Sequence, residues 1–181
     1  MHPDELTVAA QHIVVMGVSG CGKTTVGERL AATLGWPFDE GDRYHPPANV
    51  AKMSAHVPLS DADRRPWLDA LAERIAAHER AGESSVLSCS SLKRAYRDLL
   101  RRGAPRVRFL HLAGDKGVLA ARLAARTDHF FPADLLDSQY ATLEPLQPDE
   151  DGVVVDVALD PDEQVRLGMS RLGLGEDHGH G

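Results

Sequence analysis

Gly17-Val18-Ser19-Gly20-Cys21-Gly22-Lys23-Thr24 fits the phosphate-loop pattern G-x-x-x-x-G-K-[ST] at every fixed position. Its glycines admit backbone conformations and close approaches that a Cβ would block, so successive N–H groups can turn inward on phosphate oxygens. Lys23 adds a point charge for β- and γ-phosphates, and the Thr24 hydroxyl suits Mg²⁺. The flanks decide whether the pattern has meaning. His12-Ile13-Val14-Val15-Met16 is a short apolar run that reads as a buried strand. Beyond the loop, Val26, Leu30 and Leu34 recur at helical spacing over Lys23–Leu34, and Gly35 is the expected stop. Strand, loop, helix is the context the motif requires. The loop then lies on the positive end of that helix, with Gly17 to Thr25 as expected nucleotide contacts.

A chain of 181 residues suits one domain, and its 43% hydrophobic content is ordinary for a globular protein. No apolar run is long enough to span a membrane. Residues 1–11 lack the basic and apolar regions of a signal peptide, and two cysteines make no disulfide framework, so a cytoplasmic location is expected. A net charge of −7 argues against nonspecific nucleic-acid binding. The charge is uneven: seven cations fall between Lys93 and Arg108, and none between Thr127 and Val165. This asymmetry fits a protein that gathers cations locally to handle anions; a solvated basic helix face is the bland alternative.

Strand-like and helix-like runs alternate through the chain, which favours a mostly parallel sheet covered on both faces. Trp36–Asp39 is read as a second strand, and Pro46-Pro47 opens a brief helix through Met53. Ser60 is a good N-cap for a long helix in which Pro66 predicts a kink or a delayed start. Ser85–Cys89 is the third strand, and Ser90 or Ser91 is expected to cap a helix from Leu92 to Arg102. Val107–Leu112 and Gly152–Val157 supply the last two strands. Helices are expected over Asp115–Arg126, Asp134–Leu143 and from Asp160 to about Leu172. The reading gives an N-terminal segment 1–11, a single domain 12–172, and a disordered tail 173–181.

A GTP switch would carry an Asn-Lys-x-Asp motif, which this chain lacks. Asp156 ends an apolar run in the manner of a Walker B strand, but a structural or nucleotide-neighbouring role is the better reading of it. More informative is Glu40-Gly41-Asp42, just after the second strand. One carboxylate there can hold Mg²⁺ through water while the other accepts a substrate hydroxyl proton. An acidic turn is the alternative.

The chain resembles the gluconate kinases. The blocks that carry the resemblance are Met16–Gly20, Gly41-Asp42-x-x-His45-Pro46, Asn49–Met53, Pro58–Leu68, Cys89–Arg101, Arg126-x-x-His129-Phe130-Phe131 and Ser138-Gln139-x-x-x-Leu143-Glu144. One position departs, since family members commonly carry Asp where Glu40 stands. The resemblance implies ATP-dependent phosphorylation of D-gluconate to 6-phosphogluconate, with Mg²⁺ and a homodimeric state. It also implies a three-layer α/β/α P-loop kinase fold, with a five-stranded parallel sheet in the order 2-3-1-4-5 and a helical lid around 122–133.

Within that frame Lys23 and the loop amides hold the phosphates, Thr24 and Glu40 are the candidate metal residues, and Asp42 orients or deprotonates the hydroxyl. Arg122 and Arg126, four apart on one helix face, would bring guanidinium groups from the lid to the transferred phosphate. The gluconate carboxylate needs a cation, for which Arg64, Lys93 and Arg97 are the candidates. His45, Lys52 and His129 are expected near the sugar, and Trp67 is read either as its cover or as core. Two rivals stay open: a kinase of another small acid or a nucleoside monophosphate, and a non-catalytic nucleotide-binding module.

Overall fold

A computed structural model describes residues 9–125 and 133–175; Arg126 and His129 lie outside them. The strands are β1 (His12–Met16), β2 (Phe38–Glu40), β3 (Ser85–Ser88), β4 (Val107–Ala113) and β5 (Gly152–Asp156). All are paired in parallel in the order β2-β3-β1-β4-β5, as the resemblance implies. β1 is central because both its faces are apolar, and Ile13 to Met16 are completely buried.

Alternation along β1 feeds two cores, one on each side of the sheet. Ile13 and Val15 join Val26 and Leu30 of α1 (Lys23–Leu34) and Val165 and Leu172 of α7 (Pro161–Leu172). Val14 and Met16 join Leu68, Leu71 and Ile75 of α3 (Asp61–Arg80) and Leu100 of α4 (Arg94–Arg101). The remaining helices are α2 (Pro47–Ser54), α5 (Lys116–Ala124) and α6 (Ala133–Thr142). Among the described residues no helix is long and apolar enough to cross a membrane.

Local signals set most element ends. Gly35 takes a left-handed φ of 72° and closes α1. Ser60 and Asp63 form a reciprocal capping box at the start of α3. Pro66 does not delay that helix, which starts at Asp61 and runs unbroken to Arg80. The capping box and the Arg64 N–H bond to the Ser60 carbonyl, 3.1 Å, set its axis before the proline is reached. Buried Trp67, Leu68, Leu71 and Ile75 then hold it down.

Three expectations need correction. α4 starts at Arg94 and is capped by neither serine: Ser91 sits at φ 51° with its hydroxyl on the Cys89 carbonyl. The Arg94 N–H instead donates to the carboxylate of Glu144, 2.8 Å away. The fold also runs past Leu172, because the Leu174 side chain is buried in the α1–α7 core and its N–H bonds the Met169 carbonyl.

The third correction concerns the charge asymmetry, which is largely internal neutralisation. Arg94 pairs with Asp149, Arg97 and Arg101 with Glu150, and Arg108 with Asp151. Lys93 takes Asp61. The basic stretch and the acid-only stretch are two halves of one seam.

Candidate active site

The carboxyl ends of β1, β3 and β2 lie side by side, on the edge at which open α/β sheets bind ligands. The phosphate loop leaves β1 there. Gly17 and Gly22 have φ of 150° and 98°, and a Cβ at Gly17 would lie 2.7 Å from the Cys21 sulfur and 2.9 Å from the Leu112 carbonyl. Gly22 caps α1, so the N–H groups of Lys23, Thr24 and Thr25 in its first turn have no partner inside the helix. They are free for an anion at the positive helix end. Lys23 reaches back across the loop, its Nζ 3.0 Å from the Val18 carbonyl.

Opposite the loop, β2 delivers Glu40. Its carboxylate accepts the Thr24 hydroxyl on one oxygen and the Ser88 hydroxyl, 2.6 Å, on the other. Thr24 and Glu40 thus offer hard oxygen donors side by side, and among the described residues no group of three His, Cys, Asp or Glu is gathered that could hold a metal. Such a sparse oxygen set fits Mg²⁺, which keeps waters and takes most other ligands from phosphates.

Asp42 follows on a short 3₁₀ turn, Gly41–Tyr44. Gly41 makes that turn possible by lying directly on β3: a Cβ there would be 2.0 Å from the Ser88 carbonyl oxygen. Its N–H donates to the Ser88 hydroxyl at 3.2 Å and its carbonyl accepts the Trp67 indole at 2.8 Å. Asp42 is exposed, and among the described residues it makes no hydrogen bond or ion pair. Both Asp42 and Lys23 act on the buried Cys89 thiol at the end of β3. Burial pushes that thiol up to about 11; Asp42 adds to the rise and Lys23 opposes it. Gly41→Ala is expected to cost about 1–3 kcal/mol of stability through this backbone contact. It should also lower turnover, by shifting Glu40 and Asp42 together. A melting curve and an activity assay check both, and an unchanged melting temperature would discount the contact.

Beyond Asp42 lies an aromatic wall. His45 stacks on Trp67, with ring centroids 4.1 Å apart. Burial, reinforced by Arg64 and opposed by Asp42, keeps His45 below its usual titration range. The Asn49 amide nitrogen bonds its Nδ1 at 3.2 Å, which leaves Nε2 as the N–H donor. Arg64 and Lys93 flank the Tyr96 ring at 5.5 and 5.6 Å. The Tyr96 hydroxyl donates to Asp61, which also accepts from Lys93 at 3.0 Å.

Other predicted site residues are engaged elsewhere. Arg97 is completely buried, with Nε 2.8 Å from Glu150 and Nη1 2.8 Å from the Ser91 carbonyl. It does not share a face with Lys93, because Lys93 precedes the helix as its N-cap. Arg97 is therefore withdrawn as a gluconate-carboxylate candidate. Arg122 donates to the Val157 carbonyl beyond β5 rather than reaching toward Lys23. Lys52 pairs with Asp63 at 2.8 Å, and that bond together with the Ser60 N–H holds the Asp63 carboxyl at about 2. Asp156 is exposed and closes a turn by accepting the Ala158 N–H at 2.8 Å, a structural role. The expected roles of Arg126 and His129 concern residues outside those described.

A family model described as an AAA domain matches residues 13–146. The chain is 48% identical over 161 residues to a gluconokinase of Gluconobacter oxydans (strain 621H), covering 89% of this chain and 90% of that protein. It is 46% identical to the thermosensitive gluconokinase of Escherichia coli (strain K12), covering 81% and 79%. A crystal structure of a gluconokinase from Sinorhizobium meliloti 1021 superposes with a TM-score of 0.85 at 49% identity, over 91% of this chain and 93% of that one. The chain belongs to the gluconokinase family.

Two residues of this gluconokinase-family site were not singled out from sequence. Ser88, buried at the end of β3, anchors both Glu40 and Gly41. Gln139 of α6 bonds Ser19 in the loop: its side-chain nitrogen donates to the Ser19 hydroxyl at 2.7 Å and its oxygen accepts the Ser19 N–H. A strand-end serine after an apolar run was the available signal for Ser88. Gln139 stands in one of the blocks that carry the resemblance, but its role could not be read because its partner lies 120 residues away.

Proposed function

We propose that this chain transfers the γ-phosphoryl group of ATP to the terminal hydroxyl of D-gluconate, giving 6-phosphogluconate and ADP. The observation that carries the reading is the exposed Asp42 carboxylate, without a bond among the described residues, on the turn directly after Glu40, whose carboxylate accepts the Thr24 hydroxyl of the phosphate loop. Phosphoryl transfer asks a protein chiefly for alignment and positive charge. The loop amides and Lys23 hold the β- and γ-phosphates. Asp42 accepts the proton of the gluconate hydroxyl as its oxygen bonds to phosphorus and the bond to the ADP oxygen breaks. Thr24 and Glu40 would hold Mg²⁺, which when bound would supply neutralising charge to the phosphates.

Arg64 and Lys93, both near the Tyr96 ring, are the remaining described cations for the gluconate carboxylate; His45 Nε2–H and the Lys52 N–H groups not given to Asp63 serve its hydroxyls. Arg126 is retained as the arginine for the transferred phosphate. The working unit proposed is one P-loop kinase domain per chain, paired as a cytoplasmic homodimer.

An ADP-release assay across gluconate, glucose, other sugar acids and nucleoside monophosphates tests the reading. Gluconate should support turnover, with kcat/KM exceeding that for glucose by about a hundredfold or more, because glucose leaves the carboxylate-binding cations unpaired. Comparable values for the two would overturn it, and turnover of a nucleoside monophosphate alone would move the chain to the rival class.

A further inference from the structure

The mouth of the phosphate loop is gripped from outside at two consecutive residues. Gly20 lies against α5, where an added Cβ would sit 2.7 Å from a Leu123 methyl carbon. Ser19 is held by the primary amide of Gln139, which pairs with both its N–H and its hydroxyl. A primary amide can supply an acceptor and a donor from one planar group, and both are used here.

Gln139 itself sits on a fixed support. Leu136, one turn earlier in α6, is buried in the core. The Tyr140 hydroxyl donates to the Gly114 carbonyl at 3.0 Å, and the Glu144 N–H just past the helix bonds the Leu92 carbonyl at 2.7 Å. These ties set the position of α6 along its axis, so the amide is aimed before any nucleotide arrives. Ser19, in turn, stands four residues before Lys23, whose ammonium bridges to the Val18 carbonyl next door. The peptide joining Val18 to Ser19 is therefore held on one side by Lys23 and on the other by Gln139.

We propose that Gln139 is a positioning residue for phosphoryl transfer, fixing the Val18–Ser19 peptide at the mouth of the loop where the γ-phosphoryl group of ATP is seated. It acts through Ser19 and does not itself react. The inference rests on the kinase reading of the site, but its consequences are read on ATP as well as on turnover.

Four proteins test it: Gln139→Leu, Gln139→Glu, Ser19→Ala and the Gln139→Leu/Ser19→Ala double variant. Steady-state kinetics would be measured with each, together with direct calorimetric titration by ATP and by ADP. Gln139→Leu removes both bonds, and kcat/KM for ATP should fall roughly ten- to a hundredfold while KM for gluconate stays within about twofold. Ser19→Ala keeps the backbone arm and should fall less. The double variant should be no worse than Gln139→Leu alone, since the contact is already gone. Effects that multiply in the double variant, or a wild-type kcat/KM for ATP in Gln139→Leu, overturn the proposal.

Gln139→Glu covers the case in which the leucine variant does not fold. Its carboxylate can still accept both the Ser19 N–H and the Ser19 hydroxyl proton, so the fold is kept and only charge is added beside the phosphates. ATP affinity should drop more than ADP affinity, and the gap should widen at low salt. Unchanged ATP affinity in this variant also overturns the proposal. A wild-type protein that binds ATP but releases no ADP with gluconate would instead fault the substrate assignment, leaving the titrations to judge Gln139.

Discussion

Replacing Asp42 with Asn is expected to lower kcat by about 10²–10⁴ while leaving ATP affinity within about threefold. The amide matches the carboxylate in shape but cannot take a proton. Nothing in the fold depends on the charge, because Asp42 is exposed and makes no hydrogen bond or ion pair among the described residues. The turn that carries it is fixed through Gly41, Ser88 and Trp67, so the substituted side chain stays in place. Among the described residues Lys23 bonds the Val18 carbonyl and Thr24 bonds Glu40, and neither bonds Asp42. Steady-state kinetics with saturating gluconate, paired with a calorimetric ATP titration, separates the two effects. A variant with wild-type kcat would remove Asp42 as the base.

Glu150→Ala should be the most damaging single change to stability, at about 3–5 kcal/mol, because it strips the counter-ion from a fully buried guanidinium. Glu150 receives Arg97 through two bonds of 2.8 and 3.0 Å, Arg101 at 2.9 Å and the Gln147 N–H at 2.8 Å. Burial by itself raises its carboxyl, yet the bonds from Arg97, Gln147 and Arg101 outweigh that and hold it at about 2, below its usual 4.5. A depressed carboxylate stabilises the fold fully above 4.5, and the contribution is lost as pH falls from there through about 2. Acid titration of the wild type should therefore show a stability loss in that window that is smaller in Glu150→Ala, where only the other depressed carboxylates such as Asp63 remain. Thermal melts across pH provide the check. A raised KM for gluconate with an unchanged melting temperature would return Arg97 to the substrate site.

The parts of this fold that could be read in advance are those governed by neighbours in sequence. β1 and α1 match their expected ranges because the apolar run, the glycines and the 3.6-residue stripe are all local. The Ser60 cap and the Asp160 cap were legible for the same reason. The pairing of Glu40 with Thr24, and the exposure of Asp42 next to it, follow from motif spacing once β2 is parallel to β3. Less legible were the helix cations whose partners lie far along the chain, Arg97 and Arg122. Arg97 is a carboxylate candidate by sequence alone, but it lies on the buried face of α4 and meets an acid 53 residues downstream. Arg122 likewise found the Val157 carbonyl, 35 residues on, before any phosphate. No window of the sequence contains both members of such pairs.

The seam around α4 also has a direction in time. Ribosomal synthesis delivers the N-terminal side first. A nascent chain that has emerged only as far as Thr142 already holds four strands, the entire phosphate loop and the carboxylates at Glu40 and Asp42. Its Arg97 has no counter-ion and α4 has no cap, since Glu150 and Glu144 are still to come. The catalytic ingredients are thus translated well before the latch that closes the sheet over them. Deletions that stop short of Glu150 leave every reacting group in the chain and still withhold the closure of its scaffold.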